Sequence, residues 1–421
     1  MARLQEFQYN FYELTLGSDG RLVYGSSANQ PIPKLPQIFW KNGSSWSEAN
    51  LYCLEMAAPG NVKIETVHRK MKHIQYFASY VEKEKKDWRH FPRRREDQIL
   101  KIFRGHLIDQ RETGMLSPGT VTNCMNVVVD FYRFVQEKGF INSQNKMWRD
   151  REVSIPIYDN AGFLHIFATR TTDLSIPNKQ RVGGTLEDGL LPLSADHMTR
   201  LLQYTAVNAT SELHLLLSTG FFSGARIGTI TTLTVNSLLT ASIDPYTEGI
   251  LRLPAGPGTG IATKFSVSGS LWIPEALMKK LIDYASSTKR LLRERFAKPE
   301  HKNVLFLTRS GQPYSVKTVV RLISGLRDVC CEAGLRFMRK FTFHQTRATF
   351  GTWLTRELMI AGLDTATVLL EVKSAMFHKY ESTTWRYIRF LETTKAKIEA
   401  ASKFNELFTG IRGRDWGQTG A

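Results

Sequence analysis

At 421 residues, 42% hydrophobic and 11% aromatic, the chain is long enough for two domains and has the composition of a folded protein, which excludes a fibrous or wholly disordered one. Lys and Arg outnumber Asp and Glu by 56 to 39, a formal net charge of +17 that favours a polyanionic partner. No apolar run approaches the roughly 18 residues of a membrane span, the amino terminus MARLQEFQYNF has no apolar signal core, and Cys53, Cys124, Cys330 and Cys331 show neither zinc nor disulfide-framework spacing; a cytoplasmic protein is expected, nucleoid-associated in a bacterial cell.

Residues 1–44 mix aromatics with the stretch QPIPKLPQIF, carry no motif, and form an extension of unknown role. A helical domain is predicted over 45–150. There Val67, Met71, Ile74, Phe77 and Val81 recur at steps of three and four, with Arg69, Lys70 and Lys72 between them, so one helix face packs while another is basic. Residues 66–105 hold 12 Lys or Arg against five Asp or Glu, including Arg93, Arg94 and Arg95 in a row. Arg69, Lys72, Arg93, Arg94 and Arg95 are the candidate phosphate contacts, a solvated charged surface being the plain alternative. A further helix starts at Ser117-Pro118, where proline suits the first turn; it carries the stripe Val121, Met125, Val128, Phe131 and Phe134 and closes at Gly139.

Between 151 and 188 the pattern turns to DREVSIPIYDN and SIPNKQRVGGTLEDG, rich in Gly and Pro with short β-prone runs, and is assigned as an interdomain linker. A second domain spans 189–387. Ser194 is its first helix cap, with Met198, Leu201 and Leu202 on one face. GILRLPAG and FSVSGSLWIP read as two short strands joined by GPGTGIATK, and helices follow. Residues 388–421 form a helix and tail in which Ile388, Leu391, Ile398 and Phe404 are available for packing.

Three segments carry chemistry. In FFSGARIGTITTL a small-residue turn precedes Arg226, whose planar fork of donors at a helix start suits a phosphate, a structural salt bridge being the bland alternative. In FTFHQTRATFGTWL, His344 and Arg347 stand three apart, on one helix face, and can address one anion. In MFHKYESTTWRYIRF, His378 precedes Tyr387 by nine residues, across the polar turn Glu381-Ser382-Thr383-Thr384. Each segment alone is weak evidence, since single His, Arg and Tyr residues are usually packing or surface residues.

In this order the three segments together resemble the catalytic domain of the tyrosine recombinase, or phage integrase, family, and the basic helical domain ahead of them resembles that family's core-binding domain, over about residues 45–390. The resemblance implies a mainly α fold with a small β-sheet, arranged as a two-domain clamp of a helical core-binding domain and an α/β catalytic domain. By position it makes Arg226, His344 and Arg347 the residues around the scissile phosphate, His378 the second histidine, Tyr387 the nucleophile and Lys264 the hairpin lysine; Tyr380 stands too early to match. Two positions depart from the family's pattern: the acid usual three residues after the first arginine is Thr229 here, and the glycine usual before the second histidine is Phe377.

The implied activity is strand cutting and rejoining through a 3′-phosphotyrosyl bond, without cofactor, metal or ATP, in a mobile element. The implied partners are double-stranded DNA, three further copies of the chain in a tetramer on two sites, and DNA-bending accessory proteins. A type IB topoisomerase and a catalytically silent DNA-binding protein on the same scaffold are the alternatives. The chemistry is coherent: cationic donors neutralise charge building on the phosphate oxygens, a tyrosine of ordinary pKa near 10 needs phenolate stabilisation and a base such as His344, and Lys264 supplies a proton to the leaving 5′-oxygen.

Overall fold

The computed structural model describes the chain apart from residues 17–20, 28, 59–61, 143, 145, 159–163, 179–185, 187–188, 246 and 411–421. It divides into two compact units, Met1–Arg181 and Val182–Ala421.

The first unit opens with strands β1 (Arg3–Tyr9), β2 (Tyr12–Leu16), β3 (Leu22–Ser26) and β4 (Ile32–Phe39). β1 pairs antiparallel with β4 from Arg3↔Phe39 to Phe7↔Leu35, and β2 with β3 from Tyr12↔Ser26 to Leu16↔Leu22. Helices α1 (Ser47–Ala57), α2 (Ile64–Lys83), α3 (Ile99–Glu112) and α4 (Pro118–Glu137) follow, then the hairpin β5 (Asp150–Tyr158) and β6 (Leu164–Thr172). The stripe Val67, Met71, Ile74 and Phe77 on α2 and Val121, Met125, Val128 and Phe131 on α4 form one fully buried core. Ser117 caps α4 through its side chain, Pro118 is its first residue, and Gly139 just beyond it has φ 76.

Within residues 1–44, which carry no recognisable motif, β2 is exposed, whereas β4 is part of this core. Leu35 and Ile38 of β4 are fully buried with it, and Asn50 of α1 grips Ile38 twice, accepting from its N–H at 2.7 Å and donating to its C=O at 3.1 Å. Pro33 and Pro36 hide β4 in the sequence, but among the described residues it belongs to a two-stranded sheet with β1, and such edge strands tolerate proline. The stretch 151–188, expected as a linker, likewise contains structure. β5 and β6 pair in register from Asp150↔Thr172 to Tyr158↔Leu164, and Leu174 and Ile176 are buried in the first unit's core. The division between the units falls after Arg181, inside the expected linker; most of SIPNKQRVGGTLEDG lies outside the described residues.

The second unit contains α5 (Ala195–Asn208), α6 (Ser211–Ser223), α7 (Ile227–Ile230), α8 (Val235–Leu239), strands β7 (Ser242–Ile243), β8 (Ile250–Ala255) and β9 (Gly269–Pro274), then α9 (Glu275–Ala285), α10 (Thr288–Arg295), α11 (Val316–Glu332), α12 (His344–Ile360), α13 (Thr365–Ala375) and α14 (Glu381–Gly410). The three strands form an antiparallel sheet in the order β7-β8-β9. Ser194 caps α5 as expected, its Oγ accepting from His197 N–H at 3.2 Å. One core gathers α5, α6, α9, α11 and the sheet, and a second, smaller one lies among α12, α13 and α14. Fully buried Glu212 on α6 is paired with Lys289 at 3.2 Å and Arg293 at 3.0 Å; burial pushes its carboxyl up, but these two cations and the helix N–H more than offset this and hold it below the usual range.

α14 begins at Glu381, so Glu381-Ser382-Thr383-Thr384 is the first turn of a helix rather than the polar turn expected, and Tyr387 lies within that helix. Ile388 is buried in the second unit's smaller core and Ile398 is 65% exposed; the side chain of Phe404 and residues 411–421 lie outside the described residues. Among the described residues no helix is long and apolar enough to cross a membrane, and no cluster of His, Cys, Asp or Glu could hold a metal ion.

Candidate active site

α6 ends because Gly224 adopts the left-handed conformation, φ 64, which a side-chain-bearing residue resists. The chain then re-enters helix at α7 with Arg226 in the N-cap position, half-buried at the start of that helix. α12 packs across α6, and its Arg347, 2% exposed, reaches the same turn from below. The Arg347 guanidinium donates to the C=O of Gly224 at 2.8 Å and to the C=O of Met376 at 2.6 Å. One side chain of α12 therefore joins the end of α6 to the end of α13. His344 is the first residue of α12, half-buried and one turn from Arg347.

Lys264 comes from the arm that continues the β8–β9 ladder. The last ladder pair is Ala255↔Gly269, and beyond it Gly256 N–H donates to Ile261 C=O at 3.1 Å and Thr263 Oγ1 to Val267 C=O at 2.7 Å. Lys264 is exposed at the start of a tight turn in which Phe265 and Ser266 have φ 63 and 54. The arm is tied to α7's end by a hydrogen bond from Ala262 N–H to Thr232 Oγ1 at 2.9 Å.

A narrow cleft results, lined by Ala225, Arg226 and Thr229 from α7 and its approach, Thr263, Lys264 and Leu271 from the arm and β9, and Arg347, Met376 and Phe377 from α12 and the end of α13. Three cations far apart in sequence thus face one space. Thr229, at the position where an acid is usual, is 6% exposed in its wall and places no negative charge there.

His378 and Tyr387 stand behind this cleft and do not line it. His378, 3% exposed, is held by a hydrogen bond between Nδ1 and Thr384 Oγ1 at 2.9 Å. Tyr387 is fully buried, its ring centroid 5.9 Å from that of His378. Gly351 makes the room: a Cβ there would lie 2.5 Å from both Tyr387 Cε1 and Met376 Sδ. Tyr380 is 58% exposed, with Lys379 Nζ 5.3 Å from its ring centroid. Thr384, Gly351 and Met376 escaped the sequence reading, because small or apolar residues on a helix carry no chemical signal; the six-residue spacing of Thr384 from His378 was the sole clue.

In the first unit Arg69, Lys72, Arg93 and Arg94 are exposed, as a phosphate-contacting set requires. Arg95 differs. Its guanidinium is paired at 3.0 Å with Asp173, which also takes Lys101 at 2.8 Å, so its charge is committed within the unit. Arg95 is better placed to anchor the segment after β6 than to meet DNA.

No family model matches the chain, and no curated protein does. Solved structures do. A Tn1549 transposon integrase in complex with circular intermediate DNA is 14% identical, with 83% of this chain and 99% of that chain covered and a TM-score of 0.51. Another structure of that integrase with a circular intermediate DNA is 15% identical over 84% of this chain and 99% of that one, again at 0.51. A lambda integrase dimer bound to a core site is 13% identical over 81% and 94%, with a TM-score of 0.47. At such identities the likeness to the Tn1549 integrase is one of fold: helical, with small antiparallel sheets. The chain has the fold of the tyrosine recombinases.

Proposed function

We propose that this chain is a site-specific DNA recombinase that cuts and rejoins strands through Tyr387, and the observation that carries the reading is the convergence of Arg226, Arg347 and Lys264 on one cleft. A phosphodiester is already anionic, so attack on it is eased chiefly by fixed donors aimed at its non-bridging oxygens. Arg226 and Arg347 fill that role. The Tyr387 oxygen attacks phosphorus while the bond to the 5′-oxygen breaks; His344 takes the phenol proton and Lys264 protonates the departing oxygen. The 3′-phosphotyrosyl ester keeps one phosphodiester bond for the one broken, so a 5′-hydroxyl from a second strand reverses the step with no ATP, metal or cofactor.

Tyr387 is fully buried, so this chemistry requires α14 to shift and bring its side chain to the cleft. The exposed Arg69, Lys72, Arg93 and Arg94 supply a salt-dependent grip on duplex phosphates. The Tn1549 and lambda integrase structures are DNA complexes, one of them a lambda integrase tetramer bound to a Holliday junction. By analogy with these, a tetramer on two sites of a mobile element is the working assembly, and α14 with the tail after it is the segment available for contacts between copies.

The test is incubation with duplex carrying the sequences that flank the gene, without metal or ATP, followed by denaturing electrophoresis. A covalent adduct that disappears in Tyr387→Phe supports the reading; an adduct that persists in that variant assigns the attack to another residue, Tyr380 first. The burial of Tyr387 favours one second reading, a DNA-binding protein on this scaffold that does not cut. The same gel separates the two, because that protein would retard the duplex and leave no adduct.

A further inference from the structure

Phe377 has φ 52, in the left-handed region that favours glycine. Its backbone is fixed on both sides: Phe377 N–H donates to Ser374 C=O at 3.1 Å, His378 N–H to Lys373 C=O at 3.0 Å, and Met376 C=O receives Arg347 at 2.6 Å. A phenylalanine persists in such a conformation only where its side chain is held by something else. Here the ring is 7% exposed and packs in the core that contains Leu271 and Ile273 of β9. It lies so close to the root of the arm that a Cβ on Gly269 would come 3.0 Å from Phe377 Cε1.

We infer that Phe377 is a positioning residue, a wedge that braces the β8–β9 arm, and Lys264 with it, against the turn that carries His378. The left-handed backbone aims the ring at the arm, and Gly269 leaves the space for it. Gly269 belongs to the last ladder pair, so motion there is transmitted to Lys264 beyond it. The arm meets the same turn a second time at its tip, where Lys379 Nζ lies 5.5 Å from the centroid of Phe265. On its other side the arm is held by Thr232. One rigid turn thus sets Arg347, His378 and the arm together. The mechanical half of this inference stands on the packing alone; the chemical half rests on the recombinase reading, in which Lys264 is the proton donor.

Phe377→Gly is the informative variant, because glycine takes φ 52 without strain and the substitution therefore removes the side chain without forcing the turn from its conformation. Hydrogen exchange on the full chain is read first. Amides of residues 256–268 should exchange about tenfold faster or more, with those of α6 and α12 unchanged. Gly269→Ala, whose Cβ would press on the ring at 3.0 Å, should speed exchange in the same residues to a smaller degree. An unchanged arm in both variants, or faster exchange throughout the second unit, overturns the inference and leaves Phe377 as core filling. Cleavage is read second, on a duplex containing the site mapped from the adduct experiment, with either oxygen or sulfur at the bridging 5′ position. A thiolate leaves without a general acid, so Phe377→Gly and Lys264→Ala should each slow the oxygen duplex about tenfold or more and stay within about threefold of the unaltered chain on the sulfur duplex. Equal losses on both duplexes overturn the chemical half. Failure of the unaltered chain to cleave either one defeats the recombinase reading instead, while the exchange result still decides the mechanical half.

Discussion

The imidazole of His378, just before α14, and the phenol ring of Tyr387, in its second turn, lie stacked, with centroids 5.9 Å and planes 27° apart. Nine residues of sequence are folded into one contact, and the histidine is oriented by Thr384, which lies between the two in the chain. The proposed nucleophile is therefore stored against its neighbour, within the protein interior.

Thr384→Val keeps the shape of the side chain and deletes the hydrogen bond to His378 Nδ1. A loss of about 1 kcal/mol is expected, rising toward about 3 kcal/mol if the ring nitrogen is left buried without a partner. Thermal melting of Thr384→Val against the unaltered chain checks it, and equal melting temperatures would refute the role of that bond.

Arg347 joins two backbone carbonyls that a lysine cannot address together. Arg347→Lys should lower stability by about 1.5–3 kcal/mol, the worth of one charge-assisted hydrogen bond, and should abolish adduct formation with it. Chemical denaturation of the second unit measures the first effect and denaturing electrophoresis the second.

Gly351→Ala places a Cβ 2.5 Å from Tyr387 Cε1, a distance at which the Tyr387 ring must shift from its present position. Overpacking of this kind costs about 1–3 kcal/mol. The readout specific to this site is chemical nitration followed by peptide mass analysis. In the unaltered chain exposed Tyr380 should react and Tyr387 should not; in Gly351→Ala, Tyr387 should become reactive.

Asp173 carries a pH prediction. Burial by itself pushes its carboxyl up, but the Lys101 hydrogen bond, the Arg149 N–H and the Lys101 and Arg95 charges together bring it below the ordinary 3.8. A carboxyl depressed in the folded state contributes stability that is fully present above its unfolded value, and that stability is lost as pH falls through the folded one. The first unit should therefore lose stability below about pH 4, and Asp173→Asn should be weaker at neutral pH with a flatter acid limb. Melting curves between neutral pH and the acid range test both.

Arg93 and Arg94 are exposed, Arg94 making only long ion pairs with Glu96 and Asp97 at 3.9 and 3.8 Å, whereas Arg95 is paired with Asp173 at 3.0 Å. If the first two meet phosphates, each alanine substitution should reduce the slope of log binding constant against log salt by about 0.9 for duplex DNA while leaving melting unchanged. Arg95→Ala should instead lower the melting temperature. A salt titration by fluorescence anisotropy, run beside thermal melts, separates the two classes.

Much of the fold was legible because its signals are local. The stripe from Val67 to Phe77, the Ser117-Pro118 start of α4, the Ser194 cap of α5 and the two strands around GPGTGIATK all follow from periodicity and capping within a few turns of chain. The prolines of β4 and the Gly- and Pro-rich composition of 151–188 hid structure for the opposite reason: edge strands and hairpins tolerate residues that local rules assign to loops. The polar stretch after Tyr380 was likewise read as a turn, because Ser and Thr favour turns when nothing else is known, yet it opens a helix packed on α12 and α13.

The amino-acid sequence by itself determined the chemical inventory and its order along the chain, Arg226, Lys264, His344, Arg347, His378 and Tyr387, since residue identity and helical phase are local properties. Only the tertiary structure decided that three of these share a cleft, that Tyr387 is buried beside His378, that Arg95 is occupied by a carboxylate 78 residues away, and that Phe377 stands where the backbone favours glycine. Each of these depends on contacts between segments far apart in sequence, and the free energy of such contacts comes from packing and desolvation once the chain has folded, which no local pattern encodes.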